Sequence, residues 1–278
     1  MAQGVRSQGS EFFDIQRGQR SWDSFHRMTA LDVLQVMDGI PYRLDRAGEF
    51  EAQLVIDVSY DRRHYALSLL IAREQGKRPD FRLVSYVERK PDDKHEAING
   101  QMLKDDLIMF ISRYIVVGRD TPLASLLVAR DGRIVGGEYD AITQAIQELK
   151  QLGCLTEEAH IETAELHKQT EMQLRLWDVD EHGTITNVLE GTAVRLSSTA
   201  AILATTGAGT LRQGTAEPML IVVPEGSRAI DAVTEAFGVA AHLNWSSPEV
   251  AQRLPMPFKR TDEVLRARSE QEIRRIRN

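Results

Sequence analysis

The chain has 278 residues, 34 basic and 41 acidic side chains, a formal charge of −7 and a pI near 5.6. Apolar residues make up 42%, which is enough for a packed core and excludes a disordered tail. A single cysteine, Cys154, excludes a disulfide framework and a cysteine-rich zinc site. No apolar run approaches the roughly 18–20 residues of a membrane-spanning helix, and the N-terminus lacks a signal peptide's apolar stretch, so no membrane partner is expected and the cytoplasm is the expected location. The acidic balance argues against a surface coated for nucleic acid, but charge position matters more than its sum. Residues 253–278 hold eight basic and four acidic side chains, a local +4 against −11 for the remainder.

The first 26 residues are polar and show no sustained period. From Met28 the pattern changes: Thr29 caps a helix whose apolar positions Ala30, Leu31, Val33, Leu34 and Met37 share one side, and Asp38-Gly39 ends it. Residues 53–59, 64–71 and 81–87 read as three strands, the first two joined by a turn at 60–63. The period then lengthens. Ile98, Leu103, Leu107, Phe110, Ile111 and Tyr114 suit a helix, with Lys104, Asp105 and Asp106 on its wet side. Residues 123–129 form a short apolar strand and 139–152 an amphipathic helix ended by Gly153. Shorter strands follow at 172–179, 193–197, 200–205 and 218–223, then a helix at 228–241 and a charged terminal helix from Thr261.

Three strands followed by helix, strand and helix is the layout of a ribonuclease-H-like α/β core. Cutting a phosphodiester with two metal ions about 3.5–4 Å apart needs several carboxylates on rigid neighbouring elements, because hard divalent cations prefer oxygen and their charge must be balanced. An acid within the first strand and one ending the fourth meet in that core, since those strands lie side by side. Asp57 sits inside Leu54-Val55-Ile56-Asp57-Val58, where an ionised carboxylate is costly without a partner; its other reading is an acid on the strand's solvent face. Asp131 ends Leu126-Leu127-Val128-Ala129-Arg130-Asp131-Gly132; its other reading is an Asp-Gly hairpin turn, with Arg133-Ile134-Val135 as a returning strand.

Three blocks then carry a resemblance. Ile40-Pro41-Tyr42-Arg43-Leu44 followed by Leu54-Val55-Ile56-Asp57-Val58-Ser59, then Arg130-Asp131-Gly132-Arg133 with Gly137-Glu138-Tyr139, then Leu243-Asn244-Trp245-Ser246-Ser247-Pro248 with Leu254-Pro255-Met256-Pro257-Phe258-Lys259, stand in that order. Together they resemble the PIWI domain of prokaryotic Argonaute proteins, preceded by the C-terminal end of a MID domain. The resemblance implies a partial MID segment over residues 1–50 and a PIWI domain over 51–278, a mixed sheet flanked by helices. It also implies an Asp-Glu-Asp-Asp cutting set: Asp57, Glu96, Asp131 and Asp262, of which the three aspartates hold two Mg²⁺ or Mn²⁺ ions. Glu96 fits the second place, on a mobile loop in the family, with Glu88, Asp92 and Asp93 as rivals.

The guide's 5′-phosphate is implied to meet Gln8, in Gly4-Val5-Arg6-Ser7-Gln8, and the carboxylate of Asn278. The family's phosphate-binding lysine should fall near Val36, where none stands. Either the chain begins inside a MID domain, or the missing half comes from a separate subunit or a longer product. Lys259 and Arg260 are implied contacts to the nucleic-acid backbone, and the arginines after them can meet phosphates. Elsewhere, residues 206–210 read as a glycine-rich link, Trp177 and Trp245 as core anchors, His242 as a packed histidine, and His160 and His167 as surface residues.

The implied function is guide-dependent binding and endonucleolytic cleavage of a paired target strand, the partners being a small guide and its complement. The alternative is a catalytically inactive guide and target sensor that acts with an effector. An unguided ribonuclease-H-like nuclease is a third reading. The choice between DNA and RNA is not legible in these residues.

Overall fold

The computed structural model describes residues 48–59, 64–72, 79–87, 97–118, 121–168, 176–186, 188–189, 191–205, 218–243 and 254–277. The helix expected at Thr29, the block at Ile40–Leu44, the glycine-rich link, the block at Asn244–Pro248, Gln8, Glu96 and its rivals, and Asn278 lie outside them.

The apolar runs pair as a meander. β1 (Ala52–Val58) is antiparallel to β2 (His64–Ile71), and β2 to β3 (Asp80–Val87). Helix α1 (Gly100–Gly118) then crosses over, so β4 (Leu123–Asp131) returns parallel to β1. Helix α2 (Glu138–Gln151) leads into β5 (Leu155–His167), parallel to β4. A two-stranded ribbon, β6 (Asp178–Val179) with β7 (Ile185–Thr186), stands apart. The strands β8 (Ala193–Arg195), β9 (Ala200–Leu203) and β10 (Met219–Val222) extend the sheet, giving the order β3-β2-β1-β4-β5-β10-β9-β8. Helices α3 (Ile230–His242) and α4 (Met256–Arg277) follow. This is the mixed, helix-flanked α/β sheet that the layout predicts.

Period-two alternation divides the sheet's two faces. Leu54 and Ile56 of β1, Leu67 and Leu69 of β2 and Leu126 and Val128 of β4 pack on one side with Leu103, Leu107 and Ile111 of α1 and Ile142 and Leu149 of α2. Val55, Leu127, Ala129, Ala164, Leu166 and Ile221 pack on the other with Val233 and Phe237 of α3 and Phe258 of α4. Burial on both faces explains why β1, β2 and β4 read as near-continuous apolar runs.

Several expectations are corrected. Strand β5, the longest among the described residues, is absent from the elements expected above because its four glutamates and two histidines resemble a solvated segment; its charges lie on exposed or half-covered positions while Ala159, Ala164 and Leu166 are buried. The strand expected at 172–179 is, among the described residues, only the two-residue β6 and a bridge at Leu176. Helix α4 begins at Met256 rather than Thr261, because Pro257 sits in the first turn, where a helix needs no amide donor. Trp177 is 56% exposed rather than a core anchor. His242 is exposed at the end of α3, whereas His167 is half-buried against Glu165. His160 is exposed as expected, stacked on Phe50.

Candidate active site

The parallel register of β1 and β4 sets Ile56 beside Arg130, so Asp57 and Asp131 take the next position on each strand. Both share the parity of Val55, Leu127 and Ala129 and therefore face the α3–α4 layer, at the C-terminal ends of their strands. Asp57 is buried, at 7% exposure, and accepts the Val58 amide on Oδ1 at 2.8 Å. Beyond Asp131, Gly132 leaves the strand at φ +86°, where a side chain would be strained, and its amide bonds to the Leu166 carbonyl at 2.9 Å. No returning strand follows among the described residues: the chain turns into α2, so the hairpin reading of Asp131 does not hold.

The third aspartate arrives on α4. Phe258 is fully buried with its ring edge-on to Phe237, centroids 5.3 Å apart. Thr261 Oγ1 donates to the Pro257 carbonyl at 2.6 Å and lies 2.9 Å from Ser68 Oγ on β2. These contacts press the first turns of α4 onto the sheet, and Asp262 is the next residue. Its Oδ2 accepts from Arg266 at 2.8 Å.

What gathers the three is a lysine that the sequence reading passed over. Asp131 pairs with Leu166 on β5, and Lys168 stands two residues further along, on the same face as Ala164 and Leu166. Its ammonium forms an ion pair with Asp131 and lies 3.8 Å from Asp262 Oδ1. A basic residue at that parity, just past a strand end, is a weak signal that becomes legible once β5 is assigned.

The electrostatics follow from burial and crowding. Burial first, then Asp131, pushes the Asp57 carboxyl up to about 7; Asp262 adds to the rise while Lys168 and Arg130 oppose it. Asp131 is also raised, by burial above all, against the pull of Lys168. For Lys168, burial works against the charged form, but Asp131 and Asp57 outweigh it and the pKa rises. Three carboxylates thus crowd around the Lys168 ammonium, with Arg130 4.0 Å from Asp57 and Arg266 on Asp262 as further cations.

The opposite face of β4 carries a different arrangement. Arg130 is 2% exposed, with Nε 3.6 Å from Glu138 Oε2, Nη1 bonded to the Asp131 carbonyl at 2.6 Å, and Nη1 4.0 Å from Asp57 Oδ1. Glu138, 1% exposed, accepts the amides of Ile98 at 2.9 Å and Val135 at 3.1 Å. Glu165 on β5 holds the adjoining turn through the Ile134 amide at 2.9 Å and pairs with His167.

Lys259 and Arg260 are both half-buried and both engaged by Glu263, at 3.4 and 2.7 Å. Among the residues of that helix whose side chains are described, Arg266 and Arg268 are the exposed cations. An oxygen-only donor set is of the type that suits a hard divalent cation. Among the described residues, however, no three His, Cys, Asp or Glu side chains form a ready metal cage; the aspartates are arranged around Lys168 instead. No described helix is long and apolar enough to cross a membrane.

No protein-family model and no curated protein matches the chain. Solved structures do. Clostridium butyricum Argonaute, bound to a guide DNA and a 19-mer target DNA, matches with a TM-score of 0.65 and 19% identity over 88% of this chain and 30% of its own. Aquifex aeolicus Argonaute matches with a TM-score of 0.59 and 20% identity over 86% of this chain and 31% of its own. Marinitoga piezophila Argonaute, in complex with a 5′-OH guide RNA, gives 0.52 and 17% over 78% and 30%. The chain therefore spans about a third of the length of these proteins. Over that span, it has the Argonaute-like PIWI fold.

Proposed function

We propose that this chain binds a small guide nucleic acid and its complementary target and cuts the target strand, as a metal-dependent endonuclease. One observation carries the reading: Asp57, Asp131 and Asp262 come from separate elements to one face of the sheet with more negative charge than Lys168 offsets. The Argonautes of like fold, two of which are bound to guide nucleic acid, support the guide-dependent part. In this reading residues 1–50 belong to the C-terminal part of a MID-like domain and 51–278 to the PIWI domain. Gln8 and Asn278 meet the guide's 5′-phosphate, and Lys259 and Arg260 the backbone.

Asp57, Asp131 and Asp262 would hold two Mg²⁺ or Mn²⁺ ions, whose chemistry at such a site is to activate a water and stabilise the leaving 3′ oxygen. The chain's own part is to fix those carboxylates. Parallel pairing of β1 and β4 aligns two of them, and the seat of Thr261 against Ser68 aligns the third. Glu96 is the proposed fourth acid. Incubation with a guide, a complementary target and Mn²⁺ should yield one cut at a fixed distance from the guide's 5′ end. A cut that appears equally without guide would instead support the unguided nuclease.

A second reading, an inactive sensor acting with an effector, is favoured by the ammonium of Lys168 among the aspartates. Tight guide binding without cleavage, and an effector subunit on co-purification, would decide for it.

A further inference from the structure

The ammonium of Lys168 stands where the carboxylates converge. Its backbone lies two residues past the partner of Asp131, so the side chain has to reach back along the sheet face to meet Asp131 and approach Asp262. The other cations nearby touch the cluster only at its margins: Arg130, held in the opposite face by Glu138, lies 4.0 Å from Asp57 Oδ1, and Arg266 pairs with Oδ2 of Asp262.

We propose that Lys168 is the built-in counter-cation of the aspartate cluster, holding Asp131 and Asp262 when no divalent ion is bound and competing with that ion for the same oxygens. The inference rests on reading the cluster as a divalent-ion site. Three carboxylates left alone in a largely buried site would repel one another, so a resident cation keeps the apo site folded. A divalent ion bound to the same oxygens would repel an ammonium beside it, so the lysine has to leave. It is built to do so: its side chain is 31% exposed, sits past the end of β5 and has a flexible stem with no rigid fork. Arg130, at 2% side-chain exposure, has no such exit. The lysine therefore sets how much metal the site needs.

The test uses the full chain, with melting in EDTA and calorimetric titration with Mn²⁺ alone. Lys168→Met should lower the melting temperature in EDTA by roughly 3–6 °C and bind Mn²⁺ about tenfold more tightly, a gain of about 1.4 kcal/mol. Adding Asp131→Asn should recover part of the lost melting temperature. Lys168→Arg keeps the charge but grips carboxylates with a planar fork, so it should melt like the wild type and bind Mn²⁺ several-fold more weakly; it carries the test if the methionine variant does not fold. Unchanged melting of Lys168→Met, or Mn²⁺ affinity unchanged in both variants, overturns the proposal. Failure of the wild type and the methionine variant to bind Mn²⁺ at all overturns the divalent-ion reading itself, a different result from tight and equal binding by both.

Discussion

Arg130 and Asp131 are neighbours on β4, yet they belong to two buried charge clusters of opposite character. On the α1–α2 side, Arg130 meets Glu138, and the carboxylate's other bonds come from the amides of Ile98 and Val135. One cation meets one carboxylate at closest range there, with Asp57 further off at 4.0 Å, and the cluster ties the start of α1 to the corner after β4. On the α3–α4 side, Asp131, Asp57 and Asp262 share Lys168, and the Asp57 carboxyl is driven up to about 7. A matched buried cluster serves the fold, and an unmatched one marks a place where a charged ligand is wanted. Period-two alternation alone puts them on opposite faces.

The largest expected difference between the clusters is catalytic. Asp57→Ala or Asp131→Ala should lower the single-turnover cutting rate with Mn²⁺ by at least about 10³-fold and leave guide affinity within about twofold. Cutting at the wild-type rate would place the chemistry elsewhere.

The matched cluster should fail in the opposite way. Glu138→Ala takes the nearest carboxylate from a buried guanidinium and the acceptor from the buried Ile98 amide and the part-buried Val135 amide, so denaturant unfolding should show a loss of about 3–5 kcal/mol. Residual activity per folded molecule should fall far less than for the aspartate variants. A stability change under about 1 kcal/mol would show that the pair is not the fold's anchor.

Asp57 sharpens the contrast through pH. Its folded carboxyl is raised, so the native state binds more protons than the unfolded chain between pH about 4 and about 7. Its stabilising contribution is complete below that window and is lost as the pH rises through it. In EDTA at pH 8, Asp57→Asn should therefore be more stable than the wild type by roughly 1–3 kcal/mol, the gap closing toward pH 4. A variant less stable than the wild type at pH 8 would mean that the carboxylate is fully compensated.

The smallest effect concerns the rim. Glu263→Gln releases Lys259 and Arg260 from their shared partner, and guide–target duplex affinity should rise by about two- to threefold at low salt, with a steeper salt dependence. Weaker binding would assign Glu263 a direct role in the interface.

How much of this was legible beforehand varies by residue. The apolar runs of β1, β2 and β4 stand out because they are covered on both faces. Asp57 is visible as a charge inside such a run, and Asp131 as an acid at a strand's end. Their meeting follows from the parallel pairing that the strand–helix–strand order imposes. Asp262 was reached only through the resemblance, since an acid on a charged helix has no local signature. Strand β5 was invisible because its alternation is broken by glutamates, and Lys168 was lost with it. The exposures of Trp177 and His242 show the same limit, because a large ring reads as core until its neighbours are known.

The apolar periods of β1, β2 and β4 and the candidate acids Asp57 and Asp131 are local properties, and the sequence by itself determined them. Which acids meet, and around which cation, depends on register across strands about 75 and 110 residues apart and on how Phe258 and Thr261 seat α4. Those are cooperative packing choices. The tertiary structure alone decided that Glu138 lies nearest Arg130 while Lys168 reaches Asp131 and Asp262.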